Sequence, residues 1–453
     1  MKFVALLVAL SAAIPLGVIL HSNAQIYRAF WVLVGAMPLL APALPVADIG
    51  VVTLADSWVG YVYSLEVTLL DIMILAALLA VPGEGVPWAF KVPLLLFVGA
   101  LLLSMLQAAN PLAASFGVWQ YARMVLVMTV VARACRSDPD IASNILLGLG
   151  LGMAVQFVAV LEQRFLLGYP QTPGLFVHQN TLGIITHMVL LPHLALLLYG
   201  HTRHSGTLRN LAIMGVTMIV VVLTASRATI GLSFLGMATT YGVLALARLT
   251  QRKVYVALAA CLALAAIAPL VASTIQNRIA HNPIREDVYD ERAAFDRAAS
   301  AIFADHPLGV GTNHYVPVAR DQGYSERAGV ARSEGNRNSL VHNAYLLTAA
   351  ESGWPGLMTY LLMLATPLGV AFRNGWRARG TLGGHLLLGL GVALLIVYVH
   401  SLFEWIIYSR EVLYVLFITM GMVFGLSLKA RATIGGRAAP AIAAPRPVGA
   451  TNP

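Results

Sequence analysis

Apolar runs long enough to cross a lipid bilayer recur along this chain from one end to the other, and no other feature limits its fold as strongly. A hydrocarbon core about 30 Å thick needs roughly 20 apolar residues of helix, because backbone N–H and C=O groups find no water there. Of the 453 residues, 58% are hydrophobic and 11% charged, whereas soluble domains carry about a quarter charged residues. The expectation is an all-α polytopic membrane protein. Candidate spans fall at 3–20, 27–46, 61–81, 90–109, 115–132, 141–167, 181–199, 210–225, 228–247, 254–275, 343–371, 385–403 and 411–428. Pro15, Pro38, Pro42 and Pro45 interrupt the first sixty residues, and proline breaks the helical ladder. About 12 transmembrane helices are therefore expected, with both termini on one side; thirteen would place the N-terminus opposite.

Basic residues assign the sides. Arg133 and Arg136, Arg203 and Arg209, Arg248 to Lys253, Arg373 to Arg379, and Lys429 to Arg437 occupy five connections that share a side if the spans alternate. Excess Lys and Arg mark the cytoplasmic side. The net charge of +9 thus reads as topology, and no nucleic-acid partner is expected. The organisation is one transmembrane domain over 1–430 with an insert at 276–342, and a Gly/Ala/Pro-rich tail at 431–453 expected to be disordered. The apolar run after Lys2 reads as a retained helix, and Cys135 and Cys261 as outside any disulfide framework.

The complementary connections, and the insert above all, face the periplasm. The insert holds eight arginines and nine acidic residues of the chain's 29 basic and 20 acidic ones, together with the turn Pro307-Leu-Gly-Val-Gly-Thr-Asn313. A long polar loop between membrane helices is usually functional. On the same side lie Glu162, Gln163 and Arg164 at a span end, His178 to Asn180 at a span start, and Arg227 in a tight turn. His342 and Asn343 stand where the insert re-enters the membrane, and a helix start there favours an anion.

Each residue has a plainer reading. Arg227 is also what a snorkelling interfacial arginine looks like, and His342 what an interfacial or capping histidine looks like. Glu162 and Arg164 suit a surface ion pair. Asp138-Pro-Asp140 reads as a solvated turn, and His187 and His193 as packing within a span. Glu66, Asp71 and Arg123 fit no part of this scheme.

Four local patterns carry a resemblance. They are Gly174-Leu-Phe-Val-His-Gln-Asn-Thr-Leu-Gly183, Thr224-Ala-Ser-Arg-Ala-Thr-Ile-Gly231, Arg292-Ala-Ala-Phe295 with Asp305-His-Pro-Leu-Gly-Val-Gly311, and Val341-His-Asn-Ala-Tyr-Leu346 leading to Glu351-Ser-Gly-Trp-Pro-Gly356. In order and placement they resemble the O-antigen ligase and polymerase superfamily of bacterial membrane proteins, over roughly residues 170–360. His306 stands where the family often has asparagine, and Phe295 where it often has tryptophan. The single dominant insert is similar to the ligases.

The resemblance implies a GT-C-like fold whose large periplasmic loop contains short helices, in the bacterial inner membrane. It implies a glycan donor on undecaprenyl pyrophosphate and a lipid A–core acceptor, amid membrane lipids. Within it, His342 takes the role of general base. Arg227 and Arg292 bind the pyrophosphate, with Arg285 and Arg164 as lesser candidates, and Asn343 and Asn180 orient histidine or phosphate. No cofactor or metal is expected, and single displacement implies inversion at the anomeric carbon. A polysaccharide polymerase, a lipid or solute transporter and a non-catalytic envelope assembly factor are the competing functions.

Overall fold

The computed structural model describes residues 2–44, 48–55, 57–81, 85–200, 204–281 and 290–435. The chain is 79% helical with almost no sheet. It opens with α1 (Lys2–Ser22) and α2 (Ala24–Leu40), then an antiparallel hairpin of β1 (Asp48–Thr53) and β2 (Ser64–Thr68). There follow α3 (Leu69–Ala80), α4 (Trp88–Met105), α5 (Pro111–Ser137), α6 (Asp140–Leu161), α7 (Gln179–Tyr199), α8 (His204–Leu223), α9 (Arg227–Ala247) and α10 (Gln251–His281). The insert carries the short helices α11 (Glu291–Asp305), α12 (Tyr315–Asp321), α13 (Tyr324–Arg327) and α14 (Glu334–Arg337). The bundle closes with α15 (Ala344–Arg377), α16 (Leu382–His400) and α17 (Arg410–Gly435).

Eleven of the described helices are long and apolar enough to cross a membrane; α1 contributes a shorter apolar stretch and α3 only 12 residues. The expected span at 61–81 is thus a five-residue strand followed by a 12-residue helix, and α3 rises about 18 Å, short of a hydrocarbon core. The irregularity expected in residues 1–60 is present there, in the short apolar stretch of α1 and in β1, and it extends past residue 60 through β2. Residues 436–453 of the expected tail lie outside the described residues, and helix α17 continues to 435.

Helix ends sort the polar residues into two layers. At one face Arg133 donates to the carbonyl of Val81 at 2.9 Å, Arg252 to that of Leu197 at 2.7 Å, and Arg431 to Asn374 at 3.2 Å. Lys253 donates to the carbonyls of Leu244 and Arg248, both at 2.6 Å, so a buried ammonium closes the end of α9. The described members of all five basic clusters belong to this basic face. The hairpin, the insert helices and the connections 162–178 and 401–409 form the opposite one, here termed the insert face.

On the insert face a charge network accounts for the three residues left over by sequence reasoning. Arg123 of α5 pairs with Glu66 of β2 and Asp71 of α3, both at 3.1 Å. Arg410 at the start of α17 reaches Glu66 at 2.8 Å and also pairs with Asp48. Burying Arg123 is tolerable because two carboxylates meet it, and the network ties the hairpin to the bundle.

Helix α7 is the axis, with every residue from Asn180 to Leu198 buried. His187 links it to neighbours, its Nε2 lying 3.1 Å from Nδ1 of His400 and its Nδ1 3.2 Å from Ser233. Helices α2 and α6 cross in close contact at glycine: a Cβ on Gly148 would sit 1.9 Å from the Val32 carbonyl oxygen. Small residues permit such approach where no hydrophobic effect drives helices together.

Helix α15 is bent at Gly353 (φ 62°, ψ −161°), just before Pro355. The opened backbone receives the glycine-rich turn of the insert. Trp354 N–H donates to the Pro307 carbonyl at 2.9 Å, and Gly311 N–H to that of Glu351 at 2.9 Å. The buried Glu351 carboxylate accepts from Tyr315 N–H at 3.0 Å and from the Tyr61 hydroxyl at 2.7 Å. The glycine-rich turn and the Glu-Ser-Gly-Trp-Pro stretch are therefore two halves of one joint, which fixes the insert on the membrane bundle.

Gly148→Ala should lower the melting temperature of the purified protein, since overpacking costs about 1–3 kcal/mol. Gly369→Ala, where a Cβ meets nothing within 4 Å, should melt like the wild type. Equal melting of the two variants would refute the close α2–α6 crossing.

Candidate active site

Four chain segments meet at Glu404, in the connection after α16. Its carboxylate is almost wholly buried, at 2% exposure. Oε1 accepts from Asn180 Nδ2 at 2.6 Å and from Arg292 Nη2 at 3.0 Å, and Oε2 lies 3.2 Å from His342 Nδ1. Burial alone would raise the Glu404 pKa; the hydrogen bond and charge of His342, then Arg292 and His400, outweigh it and hold the carboxyl below its ordinary range. An ionised carboxylate only accepts, so a neutral imidazole at 342 would present Nδ1–H to it and carry its lone pair on Nε2. That nitrogen has no partner among the described residues, and the side chain is 29% exposed.

Local structure explains the convergence. Ala344 N–H donates to the Ser401 carbonyl at 2.9 Å and the Tyr345 hydroxyl to the Tyr398 carbonyl at 2.9 Å. These bonds hold the start of α15 against the end of α16, and with it His342 against Glu404. Helix α11, started by an Asp290 cap on Ala293 N–H, packs Phe295 beside His342 with ring centres 6.1 Å apart. Arg292 therefore approaches Glu404 from the insert. Its side chain is half exposed, and Nε and Nη1 have no partner among the described residues.

The other expected site residues fall as follows. Arg227 is the first residue of α9, exposed and without a hydrogen-bond or ion-pair partner among the described residues. Two residues on, Thr229 packs against Gly183 of α7, one turn beyond Asn180, so Arg227 stands on the helix beside the cluster. Asn343 is the N-cap of α15, accepting from Tyr345 and Leu346 N–H at 3.0 and 3.2 Å. The free amides expected at this helix start are thus partly occupied, although its positive dipole end remains. Arg164 donates to the carbonyls of Tyr169 and Pro170, closing its own turn, and no contact joins it to Glu404. Arg285 lies outside the described residues.

Sequence reasoning missed Glu404 and Asp296. Asp296 stands one helical turn after Arg292; burial raises its pKa, His342 and Arg292 draw it down, and Asp290 raises it, with a raised value overall. The signal for Glu404 was available: a lone carboxylate in a short apolar connection on the side that holds the candidate arginines. Among the described residues no group of three or more His, Cys, Asp or Glu is placed to hold a metal ion.

The first turns of α7, α9, α11 and α15 supply Asn180, Arg227, Arg292 and, just before α15, His342. Helix starts carry positive partial charge, so the site suits an anion beside a base. Fold and site together define a multi-pass membrane protein with a histidine–carboxylate cluster at one face. Residues 211–361, which include Arg227, Arg292 and His342 but neither Asn180 nor Glu404, match the family model described as O-Antigen ligase. The match supports the O-antigen ligase superfamily, which the four motifs resemble, and with it a glycosyltransferase-like enzyme. The family suggests lipid-linked glycan substrates. No curated protein matches the chain.

Glu404→Gln keeps the shape of the side chain and removes its charge. Because the folded carboxyl titrates below its ordinary value of 4.5, its contribution to stability is present above that value and disappears as pH falls through the depressed one. The melting difference between wild type and Glu404→Gln should therefore be largest near neutral pH and shrink below pH 4.5. A difference that grows on acidification would contradict the ionised, paired carboxylate.

Proposed function

We propose that this protein is an O-antigen ligase. It transfers O-antigen polysaccharide from undecaprenyl pyrophosphate to lipid A–core, with its active site on the periplasmic face of the bacterial inner membrane. The convergence of His342, Arg292 and Asn180 on the buried Glu404 carboxylate is the observation that carries this reading.

The acceptor hydroxyl must lose a proton as it attacks the anomeric carbon, and the lipid pyrophosphate must accept charge as the glycosidic bond breaks. Nε2 of His342 takes the proton. Glu404 holds the imidazole in the tautomer that leaves Nε2 basic and stabilises the imidazolium once formed, as carboxylates do for catalytic histidines generally. Arg227 binds the pyrophosphate through the planar guanidinium fork. Arg292 shares it, with one nitrogen held by Glu404 and the others turned to the leaving group. Arg285 joins them in this proposal, while Asn180 and Asn343 position the groups that touch substrate. Arg164 serves at a distance, by shaping the connection that leads to α7. The reaction is metal-independent and proceeds by single displacement with inversion.

The nearest rival is a polymerase of the same superfamily, working on the same donor. One dominant insert supports the ligase. Purified protein given lipid-linked O-antigen and rough lipopolysaccharide should decorate lipid A–core; elongation of the lipid-linked glycan alone would establish the polymerase instead.

His342→Ala should reduce transfer by about 10²–10⁴-fold, the usual worth of general-base assistance, while the protein still accumulates in membranes. Near-normal turnover would remove the imidazole from the chemistry. Arg227→Lys keeps the charge and loses the fork, so transfer should fall markedly; full retention would reduce Arg227 to an interfacial anchor. Transfer should survive excess EDTA, and reversible inhibition by the chelator would overturn the metal-free mechanism.

A further inference from the structure

Two carboxylates stand near His342, and the proposed mechanism uses only one of them. Glu404 is fully engaged by Asn180, Arg292 and His342. Asp296 is not. It follows Arg292 by four residues, which returns to the same face of α11 within about 40°. The residue before it, Phe295, packs beside the His342 ring, and Asp296 is half-buried at the edge of that contact. It interacts electrostatically with His342, Asp290 and Arg292, and with the Tyr315 phenol. Among the described residues its carboxylate has no hydrogen-bond or ion-pair partner. Other acidic residues of the insert are spent locally: Asp290 caps α11, Asp305 accepts from the Tyr324 hydroxyl at 2.8 Å, and Asp321 pairs with Arg320 at 2.6 Å.

A partly desolvated carboxylate calls for donors. Burial, ahead of the charges around it, raises the Asp296 pKa, the mark of a charge short of them. The chemistry of the two substrates decides which one supplies them. An ionised pyrophosphate has no donor and is repelled by a carboxylate, so it belongs with Arg227 and the free nitrogens of Arg292. A sugar presents several hydroxyl donors, and His342 takes the proton of only one. A ring hydroxyl commonly has a second hydroxyl on the adjacent carbon. That second group donates to a carboxylate beside His342 while the first faces Nε2.

We infer that Asp296 binds the acceptor, taking a hydrogen bond from the hydroxyl next to the one that attacks, so that the acceptor is a sugar with a vicinal diol held against α11. The inference rests on the proposed function and adds which group holds the acceptor. Asp296 forms and breaks no covalent bond, and the proton of the attacking hydroxyl still goes to Nε2 of His342. Its part is to select the hydroxyl that attacks and to keep the anionic leaving group on the arginine side.

The test uses the full-length protein in phosphatidylcholine nanodiscs, an intact core oligosaccharide and a set of its singly deoxygenated analogues, with binding measured before any donor is added. Loss of one hydroxyl, vicinal to the attacked position, should weaken binding to the wild type by about tenfold or more, the worth of a hydrogen bond to a charged group. Asp296→Ala should bind the intact sugar as weakly as the wild type binds that analogue, be indifferent to the same deoxygenation, and melt unchanged. Asp296→Asn, which keeps the size and one acceptor oxygen, should fall between the two. In the transfer assay both variants should raise the acceptor KM and leave the donor KM alone. Equal binding by wild type and Asp296→Ala, additive losses from the variant and the deoxygenation, or a raised donor KM would each overturn the inference. Asp296-dependent binding without transfer would count against the proposed function alone, and transfer to lipid A–core with additive losses against the acceptor site alone.

Discussion

A carboxylate buried at a membrane interface must be met by donors or lose its charge, and Glu404 imposes that condition on the rest of the site. Asn180 from α7, Arg292 from α11 and His342 ahead of α15 all answer it. One acidic side chain thereby fixes the insert against the bundle, selects the histidine tautomer and holds an arginine at the mouth of the site. The α15 bend at Gly353 and the glycine-rich turn docked on it serve the same end from the far side of the insert. Together they hold α11 where Arg292 can reach.

The site divides its positive charge between two uses. Arg292 is partly committed to Glu404, whereas Arg227 has no hydrogen-bond or ion-pair partner among the described residues. A histidine–carboxylate pair with one shared and one free arginine suits a reaction that moves a proton on one side of a bond and releases an anion on the other. The Arg123 network, which also gathers carboxylates and arginines on the insert face, has a different character. Its charges are paired internally and join the hairpin to α5 and α17.

Most of the bundle was legible in the sequence because hydrocarbon admits few backbone solutions, and long apolar runs leave little choice but helix. The placement of His342, Asn180 and Arg292 at one face was legible for the same reason, through the alternation of spans. The 61–81 segment was not. A short apolar run fits strand or helix equally, and here pairing with β1 and the ion pairs to Arg123 and Arg410 decide for a strand followed by a short helix. Glu404 could be picked out as a lone carboxylate at that face, but its pairings could not, since its partners precede it by 62, 112 and 224 residues. Asn343 and Arg164 show the converse: the polar residues were found at the right face, yet their side chains are engaged by the turns they sit in.

The central claim is that Glu404 acts through His342, and a double-mutant cycle on the transfer rate tests it directly. If the carboxylate works by orienting and stabilising the imidazole, Glu404→Gln costs much in the wild-type background and little once His342 is alanine, so the two losses fall well short of adding. Additive losses would mean that the two residues act independently, and the histidine–carboxylate centre would have to be abandoned.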